Sequence, residues 1–67
     1  MNLTINGEDR VVSAATLSEL VELLGMRADR VAIELNREIV PRDRWSETRL
    51  REGDKLEIVH FVGGGSA

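Results

Sequence analysis

The chain contains no cysteine. That excludes a disulfide framework, a thiolate nucleophile and a thiolate metal site. It has one histidine and no glycine-rich phosphate loop, so an enzyme reading finds little support. Proline occurs once and aromatics make up 3% of the chain, Trp45 and Phe61 alone. No apolar stretch approaches the roughly 18–20 residues that span a bilayer, so a soluble protein is expected. No charged segment precedes a long apolar run, so no signal peptide is expected either. A cytoplasmic location fits the missing cysteine without being fixed by it. Basic residues are outnumbered, nine to twelve, giving a formal net charge of −3. Nucleic-acid binding, which rests on a positive surface, is therefore not expected. Lys55 is the only lysine, and the other basic residues are arginine. Their planar forks suit carboxylate contacts, although compositional bias explains them as well.

What is present fits one small domain of 67 residues, 42% of them hydrophobic. A chain this short buries only about 60% of its unfolded surface, so the core must be efficient. "NLTING" alternates apolar and polar residues and ends in Asn6-Gly7, a tight-hairpin signal. Met1, Leu3 and Ile5 are expected inward, with Arg10 to Ser13 returning. "ATLSELVELLG" reads as a helix. Thr16 and Glu19 form a capping box, and Leu17, Leu20, Val21 and Leu24 form one stripe slightly widened by Leu23. Gly25 is the expected stop.

Arg30 to Asn36 reads as a third strand, with Val31, Ile33 and Leu35 inward. Asn36-Arg37 turns it into a short return strand, Ile39-Val40, and Pro41 ends the pairing. A turn or short helix follows, with Trp45 and Leu50 expected in the core. After a turn at Glu52 to Asp54, Lys55 to Val62 forms the last strand. The order β-β-α-β-(β)-β predicts an α+β fold, a mixed sheet packed on one helix with the last strand parallel to the first. That is the β-grasp (ubiquitin-like) arrangement. It divides the chain into a domain over 1–62 and a glycine-rich tail over 63–67.

On the last strand, Leu56 and Ile58 share one face, while Glu57, Val59 and Phe61 share the other. Val59 and Phe61 are the expected partner-docking residues; the competing reading packs Phe61 under a side loop, against Trp45. His60 reads as a passive edge residue rather than a catalyst. Gly63, Gly64 and Gly65 follow. A glycine run is commonly an inert linker or a cloning remnant. It is also a backbone that threads a channel too narrow for side chains, bringing a terminal carboxylate to a buried active site.

Two segments carry a family resemblance: "ELNREIVPRDRW" (Glu34 to Trp45) and "REGDKLEIVHFVGGG" (Arg51 to Gly65). With the Asn-Gly hairpin they resemble, over nearly the full length, the ThiS family of sulfur carrier proteins of thiamine biosynthesis, whose members are ubiquitin-like β-grasp proteins. The resemblance implies a protein cosubstrate, not an enzyme, with no metal and no cofactor of its own. An E1-like adenylyltransferase uses ATP to adenylate the terminal glycine. A cysteine desulfurase/sulfurtransferase system supplies sulfur as a persulfide, giving a thiocarboxylate, and thiazole synthase consumes it. The resemblance places the thiocarboxylate on Gly65, with Gly63 and Gly64 threading the partner. Ser66 and Ala67 depart from the family pattern. They are removed by a peptidase, or are a natural extension, or a cloning remnant. Rival readings are a small subunit of molybdopterin synthase and a ubiquitin-like modifier or sulfur donor for tRNA. A further rival is an interaction module with an inert tail. "NREIVPRDRW" fits the thiazole branch better than the molybdopterin one, and a lone lysine disfavours polymeric tagging.

Overall fold

A computed structural model describes residues 1–61. Strands β1 (Asn2–Ile5) and β2 (Glu8–Val11) form a hairpin around Asn6-Gly7, both at positive φ, 52° and 83°. That pair of left-handed residues matches the right-handed twist of the flanking strands. Helix α1 (Leu17–Leu23) follows, then a 3-10 turn (Ala28–Arg30), β3 (Val31–Leu35) and β4 (Glu38–Ile39). A 3-10 segment (Arg42–Glu47) leads to β5 (Lys55–His60). The five strands make one sheet in the order β2-β1-β5-β3-β4. β5 runs parallel to β1 and antiparallel to β3, which is the expected β-grasp sheet with α1 on one face.

The helix is bounded by its own residues. Thr16 Oγ1 accepts from the Glu19 N–H at 3.2 Å, while Glu19 Oε1 reaches back to the Ala15 N–H at 2.7 Å. At the other end Gly25, at φ 73°, donates to the Glu22 carbonyl and Met26 donates to the Val21 carbonyl. This is the paired closure that a left-handed residue after the C-cap permits. Leu17, Leu20 and Val21 are buried, and Leu24 is half-buried. Leu23 is exposed, so it does not widen the buried stripe.

Leu3, Ile5, Ile33, Leu56 and Ile58 face the helix from the sheet. Trp45 closes one side of the core and donates from Nε1 to the Val40 carbonyl at 2.8 Å, so its polar tip is satisfied where its ring is buried. Leu50 completes that side. Met1 does not join the core face. It precedes β1, is exposed, and donates through its ammonium group to the Val12 carbonyl. Val12, beyond β2, is buried instead. The two return strands keep their expected lengths but start nearer their turns: β2 runs over Glu8–Val11 rather than Arg10 to Ser13, and β4 over Glu38–Ile39 rather than Ile39-Val40, leaving Val40 half-buried outside it.

Candidate functional site

One face of the sheet carries α1; the other carries none of the helix and is open. Alternation along β5 sends Leu56 and Ile58 into the core and leaves Glu57 and Val59 on the open face. Cross-strand register fixes their neighbours, because residues directly opposite share a face. Ala32 lies opposite Val59 and Glu34 opposite Glu57. Ile39 lies opposite Glu34 in turn. Val59, Phe61 and Ile39 are 56%, 53% and 72% exposed, a large apolar area for one face of a 67-residue chain. They line a shallow groove of about 570 Å³ together with Ala32, Glu34 and Arg37.

Val59 and Phe61 therefore stand on the open side of the sheet. Phe61 does not pack against Trp45: Trp45 belongs to the core on the helix side, and Phe61 does not. Glu57 was expected on the same face as Val59 and Phe61; Ile39 and Glu34 were not anticipated as members of this surface. The signal for Ile39 was there. A two-residue turn at Asn36-Arg37 sets a register in which Ile39 faces Glu34, and Glu34 alternates with the inward Ile33. Arg37 holds φ 74°, a strained position for a side chain with a Cβ.

Two asparagines fasten the strand that carries this face. β1 ends at Ile5, but the Asn6 side chain continues its ladder. Its Oδ1 accepts from the Ile58 N–H at 2.7 Å and its Nδ2 donates to the Ile58 carbonyl at 3.2 Å. On the opposite edge the Asn36 backbone N–H donates to the Lys55 carbonyl at 2.7 Å, and its Oδ1 accepts from the Lys55 N–H at 3.0 Å. The Phe61 N–H donates to the Arg30 carbonyl at 2.8 Å, which holds the strand direction up to the last described residue. Gly63, Gly64 and Gly65, the expected threading and thiocarboxylate residues, lie outside the described residues, as do Val62, Ser66 and Ala67.

His60 is exposed at the end of β5. Among the described residues no cluster of three or more histidine, aspartate or glutamate side chains could hold a metal ion. No helix among them is long and apolar enough to cross a membrane. What the structure presents on this side is a firmly held strand with apolar groups on its open face.

A mixed five-stranded sheet grasping one helix, with β5 parallel to β1 in its centre, defines a ubiquitin-like β-grasp protein. Within that class the ThiS family model matches residues 3–65, and the chain belongs to this family of sulfur carriers. Its relatives include the sulfur carrier protein ThiS of Bacillus subtilis, 37% identical over 65 residues, covering 94% of this chain and 98% of that one. A thiazole synthase of Paramagnetospirillum magneticum is 49% identical over 67 residues, covering 98% of this chain and 21% of its own length. The chain thus spans about a fifth of that relative and of a second thiazole synthase, from Magnetococcus marinus. The crystal structure of a thiamine biosynthesis protein (ThiS) from Geobacter metallireducens superposes with a TM-score of 0.82. It is 38% identical, with 97% of this chain and 100% of that one covered.

Proposed function

We propose that this protein carries sulfur for thiazole formation in thiamine biosynthesis, as a cosubstrate rather than a catalyst, in the cytoplasm. The observation that carries the reading is the extent of the family match, which runs from residue 3 to residue 65 and so takes in the glycine end up to Gly65. The names of the relatives favour the thiazole branch over molybdopterin or tRNA chemistry. The thiazole synthases that contain a similar segment favour thiazole synthase as the receiving partner.

The chemistry follows from what a carboxylate needs. A carboxylate is a poor electrophile, so it must first be activated. The Gly65 carboxylate attacks the α-phosphorus of ATP on an E1-like adenylyltransferase, and pyrophosphate leaves. The resulting acyl-adenylate is attacked at carbon by a persulfide from a cysteine desulfurase/sulfurtransferase system, and AMP leaves. A thiol then cleaves the acyl disulfide, giving the Gly65 thiocarboxylate and a disulfide. Gly63 and Gly64 bear no Cβ and thread the narrow approach, while Val59 and Phe61 dock the body. The protein needs no cofactor of its own, since ATP is bound by its partner. Ser66 and Ala67 lie beyond the match, and the Gly65 carboxylate is available for activation only where they are absent, whether a peptidase removes them or they are an extension or a cloning remnant.

The test is an intact-mass measurement. The form ending at Gly65 is incubated with the adenylyltransferase, ATP and a sulfur donor. A gain equal to replacing one oxygen by sulfur is expected. The same treatment of a Gly64→Leu variant should give no gain, with an unchanged circular dichroism spectrum, because the obstruction is steric and lies in the partner. No gain in the unsubstituted chain beside an active partner would leave the inert-tail module as the better account.

A further inference from the structure

Asn6-Gly7 is the only asparagine–glycine step in the chain. Such a step has a chemistry of its own. When the Gly7 amide nitrogen loses its proton, it can attack the side-chain carbonyl carbon, Cγ, of Asn6. A bond forms from that nitrogen to Cγ, the Cγ–Nδ2 bond breaks, and Nδ2 leaves as ammonia. Water then opens the succinimide ring at either carbonyl, leaving aspartate or isoaspartate at position 6. Glycine favours the attack because no Cβ crowds its nitrogen. Asn2 and Asn36 precede Leu3 and Arg37, whose Cβ atoms hinder the same approach. The turn is open to solvent: Asn6 and Gly7 are exposed, and beyond its chain neighbours no atom lies within 4 Å of where a Cβ on Gly7 would stand.

The hydrogen bonds of the Asn6 side chain oppose this reaction. Oδ1 accepts from the Ile58 N–H at 2.7 Å and Nδ2 donates to the Ile58 carbonyl at 3.2 Å. Attack makes Cγ tetrahedral and swings both groups out of the plane in which they meet Ile58, so both bonds must open first. We propose that Asn6 is a fold-protected modification site: it deamidates through a succinimide with Gly7 only when its grip on Ile58 opens, and the product cannot restore that grip. The aspartate product keeps an acceptor but has no donor for the Ile58 carbonyl. The isoaspartate product carries the main chain through Cβ, which lengthens a two-residue turn whose geometry sets the β1–β2 register. The loss falls where β1 and β5 are joined by little else, since they pair in register at Thr4–Lys55 and Ile5–Leu56 and no further. Once modified, β5 has lost a hold on its β1 side. The inference stands apart from the carrier reading and needs no partner.

The experiment follows the full chain in mildly alkaline buffer, folded and in guanidinium chloride sufficient to unfold it. Peptide mapping, with fragmentation that separates aspartate from isoaspartate, reads each asparagine over time. In the unfolded chain Asn6 should convert faster than Asn2 or Asn36. In the folded chain Asn6 should convert at least about tenfold more slowly than in the unfolded one, because the reactive state is reached only by local opening. Rates within about twofold of each other in the two states overturn the inference. Thr16→Ala weakens the helix cap without touching Asn6, and should leave the folded-state rate unchanged. A rise matching its lost stability would place the gate at global unfolding rather than at the Asn6–Ile58 contact, and overturns the inference as well. The isoaspartyl form, separated by ion exchange, should unfold at lower denaturant by the fluorescence of the buried Trp45. An unchanged midpoint in that form refutes the claim that the grip is lost.

Discussion

Asn6 supports the strand that carries the apolar open face, and the cost of removing it can be worked out from its contacts. Its side chain makes two hydrogen bonds to one residue of β5, accepting from the Ile58 N–H and donating to the Ile58 carbonyl. Both are partly buried, and β1 has ended before it could supply backbone partners. A Gly substitution keeps the φ of 52° available and removes both bonds. At about 1 kcal/mol net for each, Asn6→Gly should lose about 2 kcal/mol. Asn6→Ala adds the cost of a Cβ in the left-handed region, a net of about 1 kcal/mol after the lower chain entropy of Ala, so about 3 kcal/mol in all. Asn6→Asp keeps the acceptor and loses the donor, and should fall between Asn6→Gly and the unsubstituted chain. A domain of this size is stable by roughly 3–10 kcal/mol, so Asn6→Ala removes a large fraction. Urea unfolding reads the series through Trp45, the only tryptophan, buried at 3% exposure. With a slope of about 1 kcal/mol per molar for so small a protein, Asn6→Gly should lower the midpoint by about 2 M. If Asn6→Gly unfolds within about half a kcal/mol of the unsubstituted chain, the bonds to Ile58 do not hold β5, and the argument fails.

Phe61 is half exposed and its backbone N–H, not its ring, bonds to Arg30, so Phe61→Ala should shift the melting temperature by no more than about 2 °C. The same variant should weaken binding to the adenylyltransferase about tenfold by calorimetry; a variant that fails to fold would assign the ring to the core. Thr16→Ala removes the acceptor for the Glu19 N–H and should cost about 1 kcal/mol by chemical denaturation, with partner affinity unchanged because α1 is on the opposite face.

The parts of the fold that were legible are those decided within a few residues. Asn6-Gly7 turns because both residues take positive φ at little cost. Thr16, Glu19 and Gly25 begin and end the helix through contacts no more than four residues apart. The alternation of β5 already separated Val59 and Phe61 from Leu56 and Ile58. Met1 misled because period-two patterning continues to the first residue, whereas β1 begins at Asn2; the Met1 backbone still pairs with Val12, but its side chain stays exposed and Val12 is buried instead. Leu23 misled because a seven-residue helix laid on a small sheet buries only a narrow stripe.

Taken alone, the sequence determined the turns, the caps, the alternation of each strand and the family pattern ending at Gly65. Tertiary structure decided which residues meet. Glu34 and Glu57 are 23 positions apart, and Ile39 lies on β4 while Val59 lies on β5, so their juxtaposition depends on the register of β3 against β5 and of β4 against β3. Period-two patterning says which face a side chain takes but not its neighbour across the strand. Only the assembled sheet, fixed by backbone pairing over long separations, turned separate outward residues into one apolar groove bordered by two opposed carboxylates.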